Sequence, residues 1–290
     1  MARPSPIEFF RNSLKSKAYY SDELINVYLL RPIAACVVWL LADTPVTPNQ
    51  LTVAAIVAGC GAAYAYCLGS AISIVWAGVL VTVKDILDDA DGQLARAKEL
   101  YSRRGRFLDS IGDFGVDVVV FAAITWTVFQ SFPDVFTFIL GTLAFLGITL
   151  RVSYHVFYQV SFLHLEGRYN LNRIAEEITD DDRRGDAITL GLQRIFLLIY
   201  GWQDRLMFRI DRWCRGNRVA DHNLMSWYSD KIGLRLSGLM GFGTEFAILT
   251  TCSLFNSLRL YLIINVGALN AVWLMSVLYR RSILSKNLSV

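Results

Sequence analysis

Four aspartates recur at short intervals in the most hydrophobic part of the chain, and their spacing indicates chemistry with bound metal ions. They form two pairs, Asp88 with Asp91 and Asp109 with Asp113. Residues three or four positions apart share a helix face, so each pair presents two carboxylates side by side. An ionised carboxylate near a bilayer is costly and marks a functional site. Carboxylate oxygens suit Mg²⁺ or Mn²⁺, and two such ions would neutralise a diphosphate.

Small residues follow the first pair of aspartates and indicate a ligand lying against the helix. Gly92 costs about 1 kcal/mol in mid-helix relative to alanine, and we attribute it to a ligand close to the backbone. Ala95, one turn later, places another small side chain on the same helix face, and Arg96 adds a permanent charge suited to phosphate. Alternatively, the acids are structural and pair with basic neighbours such as Lys84 and Arg104. Pairing alone does not require small residues at these offsets.

The elements that carry these residues are long uncharged runs. The chain has 290 residues, of which 54% are hydrophobic and 18% are charged, against about a quarter charged in soluble domains. No charged residue occurs between Asp43 and Lys84 or between Asp117 and Asp134. A membrane-spanning helix needs roughly 20 apolar residues, and backbone groups in lipid must pair internally. The sequence therefore predicts an all-α integral membrane protein.

The apolar runs predict six transmembrane helices preceded by an interfacial amphipathic helix at about 23–42. The six spans are expected at 49–68, 71–97, 106–131, 135–163, 236–256 and 259–279. Four regions follow: an N-terminal cytoplasmic segment with the interfacial helix (1–48), spans one to four with the acidic motif (49–163), a cytoplasmic or interfacial insert (164–235), and spans five and six with the tail (236–290).

Lysine and arginine concentrate on one side of this arrangement. They occur in the loop from Lys98 to Arg106, in the 164–235 insert and in the Arg280-Arg281 tail, whereas the opposite turns carry almost none. By the positive-inside rule this side is cytoplasmic. The acidic cluster then faces the cytoplasm, and we expect the membrane to be the cell inner membrane.

The remaining bulk properties exclude several classes of protein. The net charge of +3 is too small to indicate a nucleic-acid partner. The five cysteines lack CxxC spacing, so neither a disulfide framework nor a zinc site is expected. Residues 1–22 have no apolar core of the kind that a cleaved signal peptide needs.

Two further regions carry candidate functional residues. Arg151 and His155 lie one turn apart in the fourth predicted span and are candidates for binding the phosphate of an acceptor. The alternatives for Arg151 are snorkelling to the interface and pairing with Glu245. In the insert, apolar residues at helical spacing from Ile188 to Trp213 accompany a basic stripe, which suits a surface of anionic lipid. The stripe consists of Arg205, Arg209 and Arg212.

The acidic motif resembles the signature of the CDP-alcohol phosphotransferase family, D-x2-D-G-x2-A-R-x8-G-x3-D-x3-D. The stretch from Asp88 to Asp113 fills every fixed position, including the eight-residue gap between Arg96 and Gly105. The segment Thr47-Pro48-Asn49-x2-Thr52 is also similar to the start of that family's first span. Asp85, Asp89 and Asp117 are additional acids that flank the signature.

The resemblance implies a reaction, a site and partners. A membrane transferase would move a substituted phosphate, expected to be phosphatidyl from CDP-diacylglycerol, to the hydroxyl of a small polar or lipid alcohol with release of CMP. Asp113 would be the catalytic base. Two Mg²⁺ or Mn²⁺ ions would be bound by Asp88, Asp91, Asp109 and Asp113. The nucleotide would be bound by Asp88, Gly92, Ala95 and Arg96. Members of the family are typically homodimers.

Two other classes of function use intramembrane acids. Intramembrane prenyltransferases bind prenyl diphosphate through Mg²⁺ and aspartate-rich helices, but they need two well-separated motifs, and the second pair here follows too closely. An ion transporter is a non-enzymatic alternative. The sequence shows neither the internal repeat nor the broken helix pair that is typical of transporters.

Overall fold

A computed structural model describes residues 22–167, 176–216, 219 and 221–288. Much of the predicted N-terminal segment and short parts of the insert lie outside these residues. The described residues form helices and no strand, which confirms the predicted all-α class. In chain order the helices are α1 (Asn26–Leu41), α2 (Pro48–Cys67), α3 (Ala71–Ala97), α4 (Arg103–Ser131), α5 (Val135–Leu165), α6 (Asp180–Arg184), α7 (Ala187–Arg215), α8 (Leu224–Tyr228), α9 (Lys231–Gly238), α10 (Phe242–Leu254) and α11 (Leu258–Leu284).

Among the described residues, four helical runs are long and apolar enough to cross a membrane: α2, α5, the run Leu224–Leu254 that contains α8 to α10, and α11. They support the expected integral membrane protein. Helices α3 and α4 are 27 and 29 residues long and carry the acidic motif. Both are therefore longer than the roughly 20 residues that a span requires.

Helices α2 and α4 begin at polar caps. Thr47 forms a capping box with Gln50 at the start of α2, where Pro48 occupies the first helical turn. Ser102 accepts a hydrogen bond from the Gly105 N–H and so caps α4. These caps fix where α2 and α4 start, and α4 begins three residues before the predicted boundary.

Glycines let α2 and α4 approach each other closely. A Cβ atom at Gly59 would overlap the side chain of Val116, and one at Gly112 would overlap Ile56. Helix α3 packs against both α2 and α10, and α4 packs against α2 and α5. The acidic ends of α3 and α4 are therefore held together by packing on α2.

The run Leu224–Leu254 is interrupted between α9 and α10, and a carboxylate enters the gap. Glu23 Oε2 accepts hydrogen bonds from the backbone N–H of Gly243 at 2.7 Å and of Thr244 at 3.3 Å. These N–H groups belong to the first turn of α10 and have no partner within the helix. A Cβ at Gly241 would overlap the Glu23 carboxylate. The sequence analysis predicted one continuous span here and missed the break.

The amphipathic helix α7 packs along α4 and α5 through a partly polar face. Tyr200 donates a hydrogen bond to the backbone oxygen of Ser110 at 2.7 Å, and the rings of Phe107 and Phe196 lie 5.3 Å apart. Its fully buried side chains include Gln193, Gln203, Met207, Asp211 and Cys214. Several of the apolar residues at helical spacing instead remain exposed, namely Ile188, Ile195, Trp202 and Trp213.

Candidate active site

The structure brings carboxylates of both aspartate pairs together at the junction of α3 and α4. One oxygen each from Asp88, Asp91 and Asp109 lies within 4.8 Å of the other two. Residues 98–102 form a short connection between α3 and α4, and both helices pack against α2. Three carboxylates at this separation repel one another strongly unless a cation compensates them.

The donor set fits a divalent metal. Asp109 Oδ1 is buried and has no hydrogen-bond partner among the described residues, although buried polar atoms are normally satisfied. Asp91 is buried, and its Oδ2 accepts a hydrogen bond from the Thr52 hydroxyl of α2 at 2.5 Å. Contacts of this kind orient the carboxylates that hold a metal. The sequence marked Thr52 only through the family pattern and did not predict this contact.

The fourth aspartate of the signature has a different partner. Asp113 Oδ1 lies 2.7 Å from Nζ of Lys84, which comes one turn before Asp88 on α3. The sequence analysis considered Lys84 only in the structural alternative, and the structure bears out this one pairing. Among the flanking acids, Asp85 lies 3.8 Å from the same nitrogen, and Asp117 is buried beyond Asp113.

The predicted nucleotide-binding residues lie in the C-terminal third of α3. The nearest atom to an added Cβ at Gly92 is Arg96 Nη1 at 3.6 Å, which is an ordinary contact distance. Among the described residues, no side chain therefore packs tightly against the face of α3 at Gly92. Ala95 is half-buried and Arg96 is exposed. Gly105 differs, because its added Cβ would meet Asn49 Oδ1 at 2.8 Å. Gly105 therefore serves the packing of α4 against the start of α2.

Arg151 and His155 have partners inside the protein. Arg151 is fully buried, and it donates hydrogen bonds to Glu245 at 2.7 Å, to the Asn270 side chain at 2.5 Å and to the Asn265 carbonyl at 3.1 Å. The latter carbonyl belongs to a π-helical turn of α11. The structure thus shows the predicted alternative of pairing with Glu245, and the acceptor role of Arg151 stays a prediction.

His155 lies near the carboxylate that enters the broken helix. Its Nδ1 is 3.5 Å from the Ser237 hydroxyl, and its Nε2 is 3.9 Å from Glu23 Oε1. The side chain is buried against α9 and the segment before α1. A role of His155 in binding the acceptor also stays a prediction.

The insert is tied to the start of α4 by ion pairs. Glu176 accepts hydrogen bonds from Arg103 and Arg106, both at 2.6 Å, and Asp182 pairs with Arg103. Burial acts to raise the pKa of Glu176, but the bonds from the two arginines outweigh it and lower that pKa below its ordinary value. The hydrogen bond from Arg103 likewise lowers the pKa of Asp182. No sequence pattern predicted the contact between Asp182 and Arg103.

Known proteins share part of this chain. A protein of Thermococcus kodakarensis named bifunctional IPC transferase and DIPP synthase is 35% identical over 133 residues, which are 46% of this chain and 29% of that protein. The phosphatidylinositol phosphate synthase of Corynebacterium glutamicum is 30% identical over 126 residues, 43% of this chain and 55% of the relative. The archaetidylinositol phosphate synthase of Pyrococcus horikoshii is 41% identical over 73 residues, which are 25% of this chain and 37% of that protein.

In each case this chain matches less than two thirds of the relative's length. The family comparison covers more of the chain. Residues 45–204, more than half of the sequence, match the family described as CDP-alcohol phosphatidyltransferase. The match contains the whole acidic signature, α2 to α6 and the first part of α7. The chain therefore belongs to the CDP-alcohol phosphatidyltransferase family.

Proposed function

We propose that the protein transfers a phosphatidyl group from CDP-diacylglycerol to the hydroxyl of an acceptor alcohol and releases CMP. The observation that carries the proposal is the convergence of three carboxylates within 4.8 Å at the α3–α4 junction, in the signature that the family comparison covers. The alternatives of a prenyltransferase and an ion transporter have no comparable support from the family match.

The chain's own residues have distinct tasks in this reaction. Asp88, Asp91 and Asp109 would hold the two Mg²⁺ or Mn²⁺ ions. When bound, such ions neutralise the diphosphate and stabilise the charge of departing CMP. The face of α3 with the small residues Gly92 and Ala95, and with Arg96 nearby, would bind the cytidine nucleotide.

Asp113 would be the base. The O–H bond of the acceptor breaks and its proton passes to the Asp113 carboxylate, while the acceptor oxygen bonds to the phosphorus that carries the lipid alcohol. The bond from that phosphorus to the oxygen of CMP then breaks. The products are a phosphodiester and CMP, and Asp113 returns the proton to water. A positioned base typically contributes about 10²–10⁴-fold to the rate.

An inositol phosphate is the acceptor that we propose to test first. The relatives from Corynebacterium glutamicum and Pyrococcus horikoshii are named as synthases of phosphatidylinositol phosphate and archaetidylinositol phosphate. A phosphate on the acceptor would need a cation near the site. His155 and Arg151 are the candidates from the sequence, although the buried bonds of Arg151 favour a structural role.

We further propose six spans, α2, α3, α4, α5, the run ending in α10, and α11, with α1 lying at the interface. Lys98 of the α3–α4 connection and the arginines of the first turn of α4 and of the insert would place the site on the cytoplasmic side of the inner membrane. There a water-soluble nucleotide product can leave. The proposed state of assembly is a homodimer, by analogy with the family.

The test is CMP release by the purified full-length protein in nanodiscs, supplied with CDP-diacylglycerol, Mn²⁺ and a panel of acceptor alcohols. We expect release that depends on one acceptor and on metal, and that falls by about a hundredfold or more in Asp113→Asn because the base is lost. Release that needs no acceptor, or full activity in Asp113→Asn, would contradict the proposal.

A further inference from the structure

A buried lysine in the middle of α3, Lys84, lies beside the acidic cluster and is not part of the family signature. Its side chain is 4% exposed, and it precedes Asp88 by one helical turn. At 1.5 Å per residue it lies about 20 Å from the end of α3 at Ala97. That position is close to the centre of the proposed span. A charged side chain at such a depth is costly and is retained where it has partners or a function.

Lys84 directs its ammonium group at the proposed base. Its Nζ lies 2.7 Å from Asp113 Oδ1 and 3.8 Å from an oxygen of Asp85. A hydrogen bond between two charged groups at this distance is among the strong ones in proteins. Because the contact is to Oδ1, it fixes the orientation of the Asp113 carboxylate without using Oδ2.

Two aromatic rings of α10 hold the lysine in this position. The Nζ atom lies 5.8 Å from the ring centroids of both Phe242 and Phe246, and these rings stack on each other at 5.6 Å. Attraction between a cation and an aromatic face strengthens when both are removed from water. Lys84 is therefore held between α4 on one side and α10 on the other.

Lys84 contacts one of the four signature aspartates directly, and that aspartate also interacts with Asp88. Oxygens of Asp88, Asp91 and Asp109 form the close set of three, and Asp113 is joined to Lys84. We propose that Lys84 is a positioning residue: its charge offsets that of Asp113, and its bond holds this carboxylate in the orientation that accepts the acceptor's proton. The inference rests on the proposed function, because it takes Asp113 as the base.

Lys84 keeps its own proton and its charge throughout the reaction. The proton that moves is the one passing from the acceptor hydroxyl to Asp113, as the new phosphorus–oxygen bond forms and the bond to CMP breaks. A fixed cation this close also repels the metal ions, since like charges at an effective dielectric constant near 20 still interact appreciably. Lys84 thus weakens metal binding while it supports catalysis, and these two effects have opposite signs.

Because the effects of Lys84 on metal binding and on catalysis have opposite signs, a test can distinguish the proposed role from a purely structural one. We expect Lys84→Met, in the full-length protein in nanodiscs, to bind Mn²⁺ about tenfold more tightly in the absence of any CDP-alcohol. We expect the same variant to lose about a hundredfold in kcat, because the base is no longer oriented. The KM for CDP-diacylglycerol should change little. Lys84→Arg keeps the charge, so its Mn²⁺ affinity should stay close to wild type and its loss of kcat should be smaller.

Lys98, the C-cap residue of α3, provides a matched control. Lys98 donates two hydrogen bonds of 2.7 Å to the backbone carbonyls of Thr44 and Val46 and, within the part of the chain that the structure describes, forms no ion pair with an aspartate of the signature. We expect Lys98→Met to leave Mn²⁺ affinity unchanged. If Lys84→Met does not accumulate as folded protein, Lys84→Gln keeps an N–H donor, removes the charge and is interpreted in the same way.

Coupling to Asp113 is measured with the double variant. If Lys84 acts through Asp113, then Lys84→Met added to Asp113→Asn should reduce kcat no further than Asp113→Asn alone. Additive losses, weaker Mn²⁺ binding in Lys84→Met, or an unchanged kcat would each overturn the inference. The Mn²⁺ measurements need no substrate. A protein that releases no CMP would refute the proposed function, and the sign of the Mn²⁺ change would still decide whether Lys84 acts as the counter-charge.

Discussion

The buried pair of Arg151 and Glu245 allows a structural role to be separated from acceptor binding. Replacement of Arg151 by Met removes the donor to Glu245 at 2.7 Å and leaves a carboxylate that is 1% exposed without its counter-charge. It also leaves the Asn270 side chain and the Asn265 carbonyl without this donor. We therefore expect Arg151→Met to lose stability even when no substrate is bound.

The magnitude follows from what remains around Glu245. Breaking a buried ion pair by removing one partner typically costs about 3–5 kcal/mol. Glu245 Oε1 still accepts hydrogen bonds from the Tyr261 hydroxyl at 2.8 Å and from the Asn265 side chain. These bonds offset part of the loss, so we expect about 3 kcal/mol for Arg151→Met. The double variant Arg151→Met/Glu245→Gln removes both charges and should regain a large part of that stability.

The assay has two readouts on the same detergent-solubilised protein. The first is the free energy of unfolding of wild type, Arg151→Met and the double variant. The second is the KM for the acceptor that wild type uses. If Arg151→Met were as stable as wild type while the KM for the acceptor rose, Arg151 would bind the acceptor and the structural reasoning would be refuted. Failure of the double variant to regain stability would show that the charge pair is not the cause.

Three further predictions concern the supports of the site. Thr52→Val removes the 2.5 Å bond to Asp91 and should weaken Mn²⁺ binding about tenfold, whereas Thr52→Ser should restore it; equal affinities in an equilibrium Mn²⁺ titration would contradict this. The added Cβ in Gly105→Ala would lie 2.8 Å from both Asn49 Oδ1 and Ser102 Oγ, so this variant should be destabilised by about 1–3 kcal/mol. In thermal unfolding, Asn49→Ala should restore only the part of the stability that is lost through the contact with Asn49. The pKa of Glu176 is lowered, so its ion pairs with α4 are complete above the ordinary carboxylate pKa and are lost as the pH falls through the lowered pKa. Limited proteolysis of the insert in wild type should therefore increase only in acid. In Glu176→Gln the insert should be cleaved faster already at neutral pH.

The acidic motif was predictable from the sequence because its information is local. Asp88, Asp91 and Asp109 lie within 22 positions of the chain, at spacings that a helix converts directly into a shared face. The long uncharged runs predicted the helical class for the same reason, since length and composition suffice. The family match over residues 45–204 confirms the resemblance that these residues carried.

Contacts between distant segments were not predictable, because no periodic pattern encodes them. Thr52 reaches Asp91 across 39 positions, and Glu23 caps α10 across 220. The break at Gly241 shows the difficulty, because the surrounding residues are apolar and favour one continuous span. Only the presence of a carboxylate from the other end of the chain makes a helix start there stable, by satisfying N–H groups that lipid cannot.

Some of the charges buried in the membrane domain can be interpreted from the sequence, and others cannot. An acid at a metal-binding spacing is recognisable because several carboxylates must act on one ion, so the pattern repeats. A single buried cation such as Lys84 or Arg151 has no such repeat, and its meaning depends on which acid it meets. Arg151 meets Glu245 within a buried network of hydrogen bonds to Asn265 and Asn270, which favours a structural role. Lys84 meets an aspartate of the reaction signature, and for this reason it is the buried cation whose removal should change chemistry as well as stability.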